Sequence, residues 1–300
     1  MKRKRLTASI IALVMSVSLP MTTYAANWYL EDGSVTVNAD NSGQTVTQGS
    51  GSAVPDEAPV ITQRGSSAET SNTITINASE NATANVTISN VNIDTSGAAV
   101  STGGKGNVNI ELDGTNTLKS GVDHAGLEKN SDGNQGKLTI TDENENGKLI
   151  ATGGDYGAGI GGDDQGNGKN ITITGGEVTA AGGTNGAGIG GGLRKEGEKI
   201  TVSGDATLKV QGGPTDEWDG AGAGIGNGGR HNGDTGSFIP VNGAETEPDT
   251  SNLTTGKIEY YAPGADMTKD EPTSTTFGSL VQPEPSSPGE TGAPVEYRMQ

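Results

Sequence analysis

The 300 residues contain only two histidines and no cysteine, so any chemistry has to come from carboxylates, cations and hydroxyls. Cys-ligated zinc, iron–sulfur clusters, disulfides and thiol catalysis are excluded. With His124 and His231 alone, a histidine-based triad has little to draw on. A glycosidase needs two carboxylates flanking a cleft. Among 37 acidic residues, neighbours such as Asp163-Asp164 and Asp216-Glu217 are expected by chance in turns. A lyase would want a basic residue beside bound calcium. Arg194-Lys195 and Arg230 are available, but in Gly-rich segments that the sequence does not place. Recognition without catalysis is therefore the expectation, with a polysaccharide-degrading enzyme as the alternative and a purely structural stalk as the third reading.

The candidate binding residues fall in two groups. Asp123-His124-Ala-Gly-Leu-Glu128-Lys129 concentrates hydrogen-bonding groups. Tyr156 and Trp218 are aromatic residues in loop-like segments, and an exposed ring can stack on the apolar face of a sugar. Asp163 and Asp164 are the candidates for calcium, the one cofactor the acidic turns suggest, through carboxylates and turn carbonyls. Asp142-Glu-Asn144-Glu-Asn146-Gly147 matches the first half of an EF-hand loop. Its twelfth position is Gly153 where a bidentate Glu is needed, so it reads as an ordinary acidic turn.

These residues must be positioned by very little apolar material. Ile, Leu, Val and Phe number 51, aromatics make up 3%, and 50 residues are glycine, totals usual in disordered chains. The apolar residues are nevertheless placed regularly. One column reads Val86-Thr-Ile88, Val108-Asn-Ile110, Leu138-Thr-Ile140, Ile171-Thr-Ile173 and Ile200-Thr-Val202. A second reads Val91-Asn-Ile93, Leu118-Lys-Ser120, Leu149-Ile-Ala151, Val178-Thr-Ala180 and Leu208-Lys-Val210. The third is Ala98-Ala-Val100, Ala125-Gly-Leu127, Ala158-Gly-Ile160, Ala187-Gly-Ile189 and Ala223-Gly-Ile225. Alternation of apolar and polar residues marks strands with one buried face. Three such segments per unit describe a three-sided coil, and stacking coils about 4.8 Å apart builds a continuous narrow core. The expected fold is all-β, a parallel β-helix of about five to seven three-sided coils with capped ends. An antiparallel sandwich competes less well, because it rarely carries one three-column alignment five times. The threonines of the first column, with Thr75, also sketch an ice-binding ladder, but Asn109 interrupts it.

The blocks Tyr156-Gly-Ala-Gly-Ile-Gly-Gly162 and Asn185-Gly-Ala-Gly-Ile-Gly-Gly-Gly192, each followed by an Ile-Thr-Ile/Val strand, resemble Gly-rich repeats of secreted surface proteins from anaerobic Gram-positive bacteria. The resemblance covers roughly Trp28 to Thr268. It implies a right-handed hand for the β-helix and a carbohydrate-binding, adhesive role, with a polysaccharide or a host or cell-wall glycan as partner. Relatives often carry further modules and a wall anchor, and neither is found in this sequence.

Residues 1–25 read as a secretory signal peptide, with Lys2-Arg-Lys-Arg5, an apolar run from Leu6 to Leu19 and small residues before a cleavage point after Ala25. The run is short of the roughly 20 residues that a bilayer helix needs. Secretion to the exterior or the cell surface follows, without membrane insertion. Acidic residues outnumber basic ones 37 to 19, which argues against nucleic acid and anionic lipid as partners and favours neutral or basic glycans. Residues 26–70 are read as an N-terminal cap with the first strands, 71–261 as the β-helix, and 262–300 as a disordered Pro/Glu/Ser/Thr-rich tail or linker. The glycine column Gly161, Gly190 and Gly226 is expected to form a flat strip for a sugar polymer. Asp123, His124, Glu128 and Lys129 would stand at one end of it, with Tyr156 and Trp218 further along.

Overall fold

A computed structural model describes residues 26–65, 68–129, 136–232 and 239–281. The expected signal peptide and the last part of the expected tail lie outside them. The described chain is all-β apart from one short 3₁₀ turn, Leu30–Asp32. Among the described residues no helix is long and apolar enough to cross a membrane.

Three sheets of seven, seven and nine strands carry the structure, and most strand pairs in them are parallel. From Thr83–Ser89 onward the chain visits the sheets in strict rotation. Thr83–Ser89 lies in the first sheet, Asn92–Asp94 in the second and Val100–Gly104 in the third, and Asn107–Asp113 returns to the first. The rotation continues through Gly197–Val202, Thr207–Gln211 and Ile225–Gly226. Alternation decides which side chains turn inward. In Asn107–Asp113, Val108, Ile110 and Leu112 are buried while Asn109 and Glu111 are not. The inward residues of the three sheets form one core cluster made almost wholly of Ile, Val, Leu and Ala. Each sheet adds only one to three aliphatics per round of chain, so a small aliphatic content suffices.

The third column pairs as its spacing requires: Val100 with Leu127, Leu127 with Ile160, Ile160 with Ile189, and Ile189 with Ile225. Three other strand pairs differ from expectation by two residues. Ile110 pairs with Val86 and Leu112 with Ile88, where the triplets had set Val108 beside Val86. Leu118 pairs with Ile93 and Ala151, which places Asn116 beside Leu149. A slip of two keeps the same residues inward, so periodicity alone cannot detect it. The threonine ladder is confined to Thr139, Thr172 and Thr201, which pair in register. Thr87 faces Glu111, and Thr75 belongs to the third sheet between Thr36 and Ser101.

Antiparallel strands extend the third sheet at the N-terminal end and the second sheet at the other. At the N-terminal end Val35–Asp40 joins the third sheet parallel to Ile74–Ala78 and turns back into Gly43–Gln48 and Val54–Pro55. Gln44 of that hairpin donates to the carbonyls of Asp56 and Asn85, and Trp28 Nε1 donates to Asp56 Oδ2 at 2.8 Å. At the other end Lys257–Tyr261 pairs parallel with Thr207–Gln211, and Ser274–Phe277 then adds antiparallel. Ser274–Phe277, within the segment expected to be a tail, is therefore a strand of the second sheet. Its few apolar residues gave no periodicity, yet Thr273 donates through N and Oγ1 to the Tyr260 carbonyl and seats the strand.

Candidate functional site

The glycine column is not the expected open strip. Gly161, Gly190 and Gly226 are buried, with φ of +138°, +141° and +139°. A Cβ at Gly161 would stand 2.1 Å from the Gly190 carbonyl oxygen, and one at Gly190 2.0 Å from that of Gly226. These glycines exist because successive rounds of backbone approach each other there and adopt a conformation open to glycine. They offer no floor to a ligand.

Glu128 occupies the same column, paired with Gly161 on one side and Ser101 on the other. Its side chain is 12% exposed and accepts a hydrogen bond from, or gives one to, His124 Nδ1 at 2.8 Å. Burial pushes its carboxyl above the usual range, the His124 contact opposes that shift, and Asp163 nearby adds to it. Asp123 precedes the pair in a left-handed conformation, φ +72°, and its carbonyl accepts the Asp164 N–H at 2.9 Å. The structure thus gathers Asp123, His124, Glu128, Asp163 and Asp164 at one corner. Tyr156 lies at the same corner one round on, also at φ +72°, beside Asp123 through the Asp123 N–H to Asp155 carbonyl bond of 2.8 Å. Among the described residues no group of three or more acidic or histidine side chains is placed to hold a metal ion. In the EF-like turn, Asp142 is engaged by the N–H groups of Asn146 and Gly147.

Lys129 does not join the corner. It follows Glu128 by one residue, so strand alternation turns it inward beside Leu127, and it is 4% exposed. Burial lowers its pKa. Its expected place beside a sugar is corrected by that alternation. Trp218 stands further along the corner, where the Tyr156 N–H bonds to the Thr184 carbonyl and the Asn185 N–H to the Pro214 carbonyl in the following rounds. It is 53% exposed in a turn where Asp216 Oδ1 accepts the Trp218 and Asp219 N–H groups. That turn is pinned by Asp219, which is buried. Arg194 donates to both its oxygens at 2.9 and 2.7 Å, and His231 Nδ1 lies 3.0 Å from Oδ1. Burial alone would raise the Asp219 pKa, but these partners more than offset it and hold the carboxyl below its usual 3.8.

A further opening lies at the far end of the sheets, among residues the sequence analysis did not name as a site. A cleft of about 680 Å³ is lined by Glu245, Glu247, Pro248, Tyr260, Tyr261 and Thr273 together with neighbouring Thr, Ser, Ala and Pro residues. Two closing devices form it. Glu245 covers the end of the third sheet, its carboxylate accepting the N–H groups of Gly224 at 2.8 Å and Ile225 at 3.1 Å. Tyr260, beside Val210 in the last parallel pair, packs partly against the core and over Gly224. Its hydroxyl is pushed up to about 12 by burial and by the charges of Glu245 and Glu247, so it stays a neutral donor at physiological pH. The doublet Tyr260-Tyr261 in a strand-like segment was the only signal of this site in the sequence. Segments 245–250 and 262–276, which complete it, meet only in the fold. Comparison of this chain with protein families, with curated proteins and with solved structures finds no match.

Proposed function

We propose that the protein is a secreted or cell-surface module that binds glycans, with an adhesive role and no catalysis of its own, built on a right-handed parallel β-helix. Rotation of the chain through three parallel sheets supports the β-helix, and its hand follows from the strong preference of parallel crossovers for the right-handed connection. The observation that carries the binding reading is the terminal cleft. The Tyr260 ring and Pro263 give it apolar surface for sugar faces, while carboxylates, the Tyr260 hydroxyl and threonine hydroxyls serve sugar hydroxyls. The Gly-rich blocks and their likeness to secreted surface repeats favour the same role. Catalysis is disfavoured by how the acids are used. Glu245 spends both oxygens on backbone N–H groups, and Glu128 is nearly enclosed beside His124.

A glycan array probed with the secreted chain tests this reading, run with and without EDTA. Binding is expected to at least one glycan class in both conditions. Tyr260→Phe, which keeps the ring and removes the hydroxyl, should weaken binding about three- to tenfold. Trp218→Ala should leave it unchanged. An array without a binder defeats the proposal. So does sustained release of reducing ends or unsaturated products from pectin, xylan or mucin glycans.

A further inference from the structure

Resting on the reading of the terminal cleft as a glycan seat, we propose that it selects glycans carrying free amines, that is, polymers of N-unsubstituted hexosamine. Among the described residues, the charged groups lining the cleft are Glu245 and Glu247, with no lysine, arginine or histidine. Glu245 is held in place, because its two oxygens accept the Gly224 and Ile225 N–H groups. Glu247 is exposed at the rim. Both charges are felt at one point, since each raises the Tyr260 hydroxyl pKa. Negative potential is therefore focused beside an aromatic face.

An ammonium group there would meet two carboxylates and the Tyr260 ring, combining ion pairing with cation–π attraction. An N-acetyl group would cover the same carboxylates without compensating them, which costs desolvation. The acidic excess of the whole chain adds steering toward a cationic polymer. A glycan is favoured over a basic peptide by the rest of the lining. Pro263 and several Thr and Ser side chains suit ring faces and hydroxyls spread over a cleft wide enough for about two to three sugar rings.

Isothermal titration calorimetry of the secreted chain with four probes tests the inference: the glucosamine tetramer, the N-acetylglucosamine tetramer, cellotetraose and tetralysine. The glucosamine tetramer should bind about tenfold more tightly than cellotetraose at low salt, an advantage of the size one well-placed cation supplies. The advantage should shrink as salt is added and vanish in Glu247→Gln, a rim variant expected to fold as the parent does. Equal affinity for the glucosamine tetramer and cellotetraose would overturn amine selection while leaving the glycan reading intact. If no saccharide binds, that underlying reading is what fails. Tetralysine binding as tightly as the glucosamine tetramer, with both lost in Glu247→Gln, would make the cleft a general cation seat and overturn the glycan assignment.

Discussion

Glu128 and Gly161 are register partners in the third sheet, and they show what one position tolerates. At Gly161 a Cβ would collide with the next round at φ +138°. Gly161→Ala should therefore cost about 1–3 kcal/mol. Gly97→Ala, where nothing stands within 4 Å of the added carbon, should be nearly neutral. Equal melting temperatures for the two variants would mean that the glycine column is not closely packed. Glu128 is accommodated by folding over to His124, at the cost of burying a carboxyl whose folded pKa lies above its usual 4.5. A raised folded pKa contributes stability that is complete below the unfolded value and lost as pH rises through the folded one. The parent should thus lose stability from about pH 4 upward relative to Glu128→Gln. Subtracting the two stability–pH curves isolates the effect, and a difference that does not change with pH would contradict it.

At the scale of the strand, a polar residue sets a register that apolar periodicity leaves open. Asn116 is fully buried in Thr115–Lys119, at a level where Leu149 and Val178 follow in successive rounds. Its Oδ1 accepts the Val91 N–H at 3.2 Å, and its Nδ2 donates to the carbonyls of Asp113 and Lys148 at 3.2 Å each. The amide bridges three levels of the second sheet near its first strand. Asn116→Leu matches the apolar column and improves it on hydropathy alone. It should nonetheless destabilise by about 1–3 kcal/mol, because a buried N–H and two carbonyls lose a partner. Chemical denaturation of parent and variant decides this, and a variant as stable as the parent would show that the bridge contributes nothing. Val91, Leu118 and Leu149 were legible as core from their spacing. Asn116 was not, since nothing local distinguishes a buried asparagine from a turn asparagine.

Over the whole molecule, charge is the dominant imbalance, with 37 acidic and 19 basic residues. Ion pairs such as Lys148–Glu177, Lys169–Glu196 and Arg64–Asp32 lie on the surface, where each contributes little. The net repulsion remains and is screened over about 10 Å at 0.1 M salt. The melting temperature should therefore rise by about 2–5 °C between 10 and 200 mM NaCl. A melting temperature that falls with salt would mean that attractive pairs outweigh the repulsion.

What the sequence determined by itself was the inward set. Alternation with period two marked which residues turn to the core, and the Ala-x-aliphatic blocks set the pairing of Val100, Leu127, Ile160, Ile189 and Ile225. It left open the two-residue registers at Val86 and Leu118, because a strand shifted by two presents the same faces. It misplaced the ligand surface for a related reason. Glycine reads equally as open space and as close backbone approach, and only the distance from one round to the next separates the two. The terminal cleft was decided by tertiary structure alone. Glu245, Tyr260 and Thr273 converge because the ends of stacked sheets must satisfy their unpaired N–H and carbonyl groups, and the segments that do so come from separate stretches of chain.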